Sequence, residues 1–332
     1  MTHSLALAQR MARIPAALFA GLFVFANACE SDGLNPSSAI ESSADGVTEG
    51  SDALPIEAPA FTIASRRNGT AFGLWRLDYS QLSEQWTSLK KTASPSSIRR
   101  DLEKARSEGG RVFVQLAGSP KNYKTSSGRF DLTKFKQALN RYKDVNLDSY
   151  ITDGTLAGHM MIDEPSDPSN WGGRAIPYDQ LEAAAQHSKS LWPRLPTLLR
   201  TKPSWLAKAP FQWRYLDGGW VQYAARFGNV TSYRDAEVRA AKNEGLKVVF
   251  GLNVLDGGDG SSGIRGTKRG AYNMSASELL KYGKPLLAAS ASCGFLMWRF
   301  DSEYLNKSSV RTAMQQLRSI AGNTATVNCR SS

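Results

Sequence analysis

Short, nearly continuous apolar runs alternate with amphipathic segments from residue 61 to residue 332, and no other feature constrains the fold as strongly. Val248-Val249-Phe250 and Phe295-Leu296-Met297-Trp298 have no polar face at all. Such strands are covered on both sides, as in a parallel sheet overlaid by helices. Strands are predicted from Phe72 to Leu77, Arg111 to Leu116, Leu156 to Ile162, Leu195 to Arg200, within Arg214 to Ala224, from Lys247 to Asn253 and from Gly294 to Phe300. Helices are predicted between them. One runs from Ser96 to Ser107, one from Asp131 to Tyr142 with Leu132, Phe135 and Leu139 on a single stripe, and one from Tyr178 to Trp192, stopped by Pro193. A last helix from Ser309 to Ile320 aligns Val310, Ala313, Leu317 and Ile320. The pairs Ser232/Asp235 and Ser275/Glu278 have capping-box spacing.

Seven visible strands, one region left undecided and interleaved helices predict a single (β/α)8 TIM barrel over residues 61–332, with a doubly wound parallel sheet as the alternative. No Gly-x-Gly-x-x-Gly joins a strand directly to a helix and no Walker loop is present, so nucleotide-binding versions lose their usual support.

The first 60 residues read differently. Arg10 and Arg13 precede an apolar run from Ile14 to Ala26 that ends in Ala26-Asn27-Ala28-Cys29, the pattern of a signal peptide over residues 1–28. Ala26 and Ala28 suit ordinary cleavage and secretion. The small residue before Cys29 also resembles a bacterial lipobox, which would place a lipid on Cys29 and make the chain an outer-membrane or cell-surface lipoprotein. From residue 29 to residue 60 the chain is rich in Ser, Gly, Ala and Pro, with seven acids and no base, and reads as a disordered acidic tether. Setting aside the two leader arginines and those seven acids leaves 39 bases and 23 acids in the body, roughly 16 positive charges in excess. That balance draws anionic partners or serves only solubility. The bases are dispersed and no zinc finger or arginine-rich tract is present, so no nucleic-acid partner is expected. With Cys29 assigned to the lipid, Cys293 and Cys329 remain, either as a disulfide in an oxidising compartment or as a buried hydrophobe and a loose thiol.

Chemistry concentrates where strands end. Gly158-His159-Met160-Met161-Ile162-Asp163-Glu164-Pro165 carries an apolar strand into two acids and a proline, leaving both carboxylates at the strand's carboxyl end. In barrels that edge is the active face, where a partly desolvated carboxyl group can hold its proton for acid catalysis. A polar strand cap would look the same. Other strand ends add Trp75 and Asp78, Asp217 with Trp220, Asn253 and Asp256, and Trp298 with Asp301. Trp171 in Asn170-Trp171-Gly172-Gly173 and Trp220 after Gly218-Gly219 are expected to be exposed platforms for sugar faces, whereas Trp75 and Trp298 suit either a platform or the core. His159 is expected to orient a carboxylate or to sit hydrogen-bonded in the core. The Gly-rich stretch from Asp256 to Asn273, with Arg265, Lys268 and Arg269, reads as a mobile basic loop that either clamps an anionic substrate or is a plain excursion.

On Asp163-Glu164-Pro165 and the terminal-strand Trp298, the chain from Phe72 to Gly322 resembles the superfamily of barrel glycoside hydrolases with catalytic carboxylates on strands four and seven. That resemblance implies Glu164 as acid/base and Asp163 as a contact to a sugar hydroxyl. Asp163 stands where the family has Asn, and Asp256 lies where it has a nucleophilic Glu. Gly251-Leu252-Asn253-Val254-Leu255-Asp256-Gly257-Gly258 is similar to a motif of uncharacterised exported barrel proteins. The expected function is hydrolysis of an O-glycosidic bond in an extracellular or envelope polysaccharide, neutral or anionic, without a cofactor. Glu164 protonates the leaving oxygen, Asp256 is nucleophile or base, and Asp301 is the reserve carboxylate. Trp75, Asp78, Asp163, Trp171, Asp217, Trp220, Asn253 and Trp298 are the expected binding residues. The alternatives are a non-catalytic glycan-binding protein and a metal-assisted hydrolase in which several of Asp78, Glu164, Asp217, Asp256 and Asp301 converge on one ion. Three His and three Cys cannot build a His-rich or thiolate site.

Overall fold

The computed structural model describes residues 68–331. The expected signal peptide, acidic tether and lipidated Cys29 lie outside the described residues. Eight strands, β1 (Phe72–Trp75), β2 (Ser88–Thr92), β3 (Arg111–Gln115), β4 (Leu156–Asp163), β5 (Thr197–Arg200), β6 (Gly218–Trp220), β7 (Lys247–Phe250) and β8 (Ser292–Met297), pair in parallel in chain order. β1 also pairs with β8, Phe72 opposite Phe295, and this closes the sheet. An open doubly wound sheet is thereby excluded: the fold is a (β/α)8 barrel.

The undecided strand is β2. Its sequence Ser-Leu-Lys-Lys-Thr holds one apolar residue, yet Ser88, Leu89 and Lys90 are all buried. Leu89 packs outward against the helices, while Lys90 turns into the barrel.

The helices are α1 (Ile98–Ser107), α2 (Leu132–Asn140), α3 (Asp148–Thr152), α4 (Tyr178–Leu191), α5 (Pro203–Leu206), α6 (Val230–Asn243), α7 (Ala276–Leu287), α8 (Ser302–Leu305) and α9 (Ser308–Asn323). The Ser275/Glu278 capping box forms at the start of α7. The Ser232/Asp235 box does not. α6 begins three residues earlier, with Asn229 accepting from the Ser232 amide, and Asp235 pairs instead with its neighbour Arg234.

The core has two layers. Phe113, Met160, Leu198, Trp220, Val249 and Leu296 fill the barrel interior. The alternate residues Val112, Val114, Leu199, Val248 and Phe295 face the helices. His159 belongs to this outer layer: its ring lies between Phe135 and Trp192, and Nδ1 meets Ser188 Oγ at 2.8 Å.

The C-terminal tail closes the amino end of the barrel. Cys329 is joined by a disulfide to Cys293 at the start of β8. Val327 packs on the interior cluster, and Ser331 donates to Asp217 through both its amide and its hydroxyl. Among the described residues no helix is long and apolar enough to cross a membrane.

Candidate active site

At the carboxyl edge each strand, or the first residues past it, contributes one inward side chain. In chain order these are Trp75, Lys90, Gln115, Asp163, Arg200, Trp220, Asn253 and Trp298, placed by the alternation of the pleat. Trp75 and Trp298 stack with centroids 4.0 Å apart across the β1–β8 seam. Lys90 Nζ lies 4.8 Å from the Trp75 ring, and the Arg200 guanidinium 4.5 Å from that of Trp298. Lys90 Nζ also donates to Gln115 Oε1 at 2.9 Å. Burial pushes the Lys90 ammonium down to about 8, with nearby Asp163 opposing the shift.

A bulge in β4 aims Asp163. The β4–β5 register runs Met160 opposite Leu198 and then Ile162 opposite Leu199, so Met161 is an extra residue. Past that insertion the facing of the strand reverses. Asp163 consequently points into the mouth, opposite Arg200, and forms an ion pair with Arg200 Nε.

Glu164 follows at φ 47°, one of two non-glycine residues with positive φ among the described residues. A non-glycine side chain there costs about 1 kcal/mol or more, so surrounding contacts must impose it. Those contacts are on both sides of the backbone: the Glu164 amide donates to Arg200 O at 3.1 Å, and the Trp171 indole donates to Glu164 O at 2.9 Å. The carboxylate is held as well, by Arg200 Nη2 at 2.6 Å on Oε1 and by Asn170 Nδ2 at 3.1 Å on Oε2. The other such residue, Arg76 at φ 64°, ends β1 and lays its guanidinium over Trp75.

Asp256 reaches the same place from β7. A Cβ at Gly251 would sit 1.8 Å from Leu296 O, so only glycine lets the chain after β7 run this close to β8. Asn253 then bridges to Trp298, and the Asn253 side chain accepts from the Asp256 amide at 3.2 Å. Asp163, Glu164, Asn253 and Asp256 all line one cavity of about 720 Å³. Asp256 also anchors the glycine-rich loop: Thr267 Oγ1 donates to Oδ2 at 2.6 Å and the Lys268 amide to Oδ1 at 2.9 Å. Glu278 ties the loop's other side, accepting from the Asp259 amide and from Ser261 Oγ. The stretch expected to be a mobile loop is therefore tethered at two carboxylates.

Of the other expected site residues, Trp220 and Trp298 line the cavity, and Trp75 is drawn to it through the stack on Trp298. Trp220 is buried inside the barrel with its indole donating to Leu296 O, so it forms the cavity floor rather than an exposed platform. Trp171 is also buried; its ring packs among Tyr123 and Phe130 and acts on the site through Glu164 O. Asp78 lies outside the cavity lining, capping a short 3₁₀ turn and pairing with Lys91 at 2.8 Å. Asp301 caps α8 and does not line the cavity either. Asp217 precedes β6 and so belongs to the opposite, amino end, where it binds Lys189, Thr197 and Ser331. Asp217 is thus separated from the other four acids by the length of the barrel, and of those four only Glu164 and Asp256 line the cavity. Among the described residues no group of three or more potential ligands gathers to hold a cation.

Sequence reading missed Arg200, which bridges Asp163 and Glu164 and also donates to Gln222 Oε1. Its signal was present: a lone base closing the apolar run Leu195 to Arg200. It also missed the wall built by the β5 and β6 loops, where Phe227 and Tyr233 stack at 5.4 Å with Lys202 Nζ 4.2 Å from the Phe227 ring. The Gln222 amide nitrogen and the Tyr233 hydroxyl, both on lining residues, are buried without hydrogen-bond partners. Polar groups left so are ones a ligand can satisfy.

No protein-family model matches the chain, and none of the curated proteins matches it. Solved structures similar to the chain include a GH18 chitinase from Pseudoalteromonas aurantia, 12% identical over 74% of this chain and 99% of that one, with a TM-score of 0.46. An endo-beta-1,4-mannanase from Thermotoga petrophila is 9% identical over 77% of each chain, with a TM-score of 0.48. Saccharomyces cerevisiae Gas2p in complex with laminaripentaose is 16% identical over 75% of this chain, which spans 58% of that one, with a TM-score of 0.47.

Proposed function

We propose that the barrel hydrolyses an O-glycosidic bond, with Glu164 protonating the leaving oxygen and Asp256 acting on the anomeric carbon, directly or through water. The observation that carries this reading is Glu164 itself. A non-glycine residue is forced to φ 47° at the carboxyl end of β4, and its carboxyl group opens into the cavity that Asp256 lines. Backbone strain maintained at the active face of a barrel indicates a side chain placed for a task. The cavity is large enough for sugar rings, and its aromatic lining suits their apolar faces. The gap between the two carboxyl groups decides the outcome: about 5–5.5 Å gives retention and about 6.5–9.5 Å leaves room for the water of inversion.

Purified protein and Glu164→Gln, compared on a panel of neutral and acidic glycans by release of reducing ends, test the assignment. Cleavage by the first and not by the second is the expected result, whereas equal cleavage removes Glu164 from the chemistry.

A non-catalytic glycan-binding role is the second reading, and one observation favours it. Both carboxylates are already matched, Glu164 by Arg200 and Asp256 by Thr267 and the Lys268 amide. Binding without release of reducing ends from any glycan in the panel would select this reading. The acidic tether and Cys29 fit display of the barrel at a cell surface or its secretion, in either case toward extracellular polysaccharide.

A further inference from the structure

Alongside the main cavity lies a second cleft of about 340 Å³, and Arg226, Asn253, Asp256 and Lys268 form the wall common to both. The two adjoin along that wall, between Glu164 and the glycine-rich loop. Its charge is lopsided. The side cleft carries Arg226, Lys268 and Arg269 against a single acid, Asp256, and both oxygens of that acid are occupied by Thr267 and the Lys268 amide. In the main cavity Lys202 and Lys208 add to the excess, while Arg200 is consumed by Asp163 and Glu164.

Among the described residues, no carboxylate lies within ion-pair distance of Lys202, Lys208, Arg226, Lys268 or Arg269. Two of these cations are positioned by rings instead. Arg226 sits 4.8 Å from the centroid of Phe227, and Lys202 lies over both Phe227 and Tyr233. A cation held over a ring keeps its charge available to a ligand. Like charges gathered in a concave, partly desolvated site repel one another, and an anion relieves that repulsion.

We infer that the glycan bound here is polyanionic, with its negative groups seated on Arg226, Lys268 and Arg269 in the side cleft while the sugar backbone lies across Trp298 toward Glu164. This rests on the carbohydrate reading above and names its substrate class. The shared chemistry is a sugar polymer bearing carboxylate, sulfate or phosphate at regular intervals. Guanidinium groups engage such oxyanions through paired hydrogen bonds, while the lysine contributes a point charge.

Binding separates this inference from the hydrolysis it builds on. Full-length protein carrying Glu164→Gln is titrated with polygalacturonate, with the same polymer after carboxyl reduction, with a sulfated dextran and with a phosphate-bearing teichoic acid polymer. Expected is binding to at least one charged polymer at least tenfold tighter than to the neutral one, and weakening by about tenfold as salt rises to about 0.3 M. The triple variant Arg226→Gln/Lys268→Gln/Arg269→Gln should lose most of that preference with an unchanged unfolding midpoint. Equal affinity for charged and reduced polymers overturns the inference, as does undiminished preference in the folded triple variant, since the charge would then act from elsewhere on the basic body. A charged polymer that binds at the cleft but is never cut by wild type leaves this inference standing and defeats the glycosidase reading. A neutral polymer that is cut while charged ones fail to bind does the reverse.

Discussion

Arg200 grips Glu164 twice, through Nη2 on the carboxylate at 2.6 Å and through its carbonyl oxygen on the Glu164 amide at 3.1 Å. Side chain and backbone are thus fixed from one residue on the neighbouring strand, and the left-handed turn at Glu164 is the geometry that satisfies both contacts. The strain belongs to the backbone, so it can be separated from the chemistry. Glu164→Ala and Glu164→Gly both delete the carboxylate and the ion pair, but only glycine adopts φ 47° without penalty. The glycine variant should be about 1 kcal/mol more stable than the alanine variant in urea unfolding, with both inactive. Alanine as stable as glycine would show that the turn is unstrained.

Asp217 and Asp78 looked alike in sequence, each an acid beside an aromatic or a glycine at a strand end, and the structure gives them different work. Asp217 is buried, 2.5 Å from Lys189 Nζ, and also receives the Thr197 amide and the tail's Ser331. Asp217→Asn should cost about 3–5 kcal/mol, since it leaves the Lys189 charge poorly matched. Asp78 forms a half-exposed pair with Lys91, so Asp78→Asn should cost less than about 1 kcal/mol. Neither should alter cleavage per folded molecule. Lost activity at full stability in Asp217→Asn would place that acid in function after all.

Seven strands and the closing helix were legible because burial on both faces leaves an unbroken apolar run. The strand that escaped is the one whose inward residue is a lysine. Lys90 is buried because Trp75, Trp220 and Gln115 receive its ammonium, and all three partners come from other strands. Local pattern cannot announce such a site. The same limit explains the tryptophans: a ring next to glycines reads as an exposed platform, but Trp171 and Trp220 are enclosed by segments far away in sequence. That Glu164 and Asp256 line one cavity was legible because each follows an apolar strand, Glu164 directly and Asp256 after a short loop. Arg200 shared that signature and was passed over because a base at a strand end suggests no reaction by itself.

His159 makes the fold sensitive to acid. The ring is fully buried, and desolvation holds it down to about 3, against 6.5 for a free imidazole. Below 6.5 the unfolded chain takes up a proton that the folded ring refuses, so stability present above that pH is lost as pH falls toward 3. The loss amounts to several kcal/mol, at up to about 1.4 kcal/mol per pH unit. His159→Asn keeps a partner for Ser188 and removes the titration. Urea midpoints between pH 4 and 7, roughly spanning that window, should fall less steeply in the variant than in wild type. Parallel profiles would mean that the imidazole is not the group responsible.

Lys90 sets a complementary effect on the alkaline side. Its folded value of about 8 lies below the free value of 10.5, so between the two the unfolded chain holds a proton that the folded protein has shed. Stability attributable to this residue therefore rises as pH climbs through that window, by about 3 kcal/mol in all. Below the window both states carry the charge, and the buried ammonium is a standing cost that Gln115, the two rings and Asp163 only partly offset. Lys90→Met matches the aliphatic stem, removes the charge and leaves Gln115 Oε1 to find another donor. The difference in unfolding free energy between wild type and Lys90→Met should move toward wild type by at least about 1 kcal/mol between pH 7.5 and 9.5. Other groups that titrate in this range are common to both proteins and cancel in that difference. A difference that stays constant across the range would show an amine with an ordinary affinity for its proton, and the mouth of the barrel would then have to admit more water around Lys90 than its burial allows.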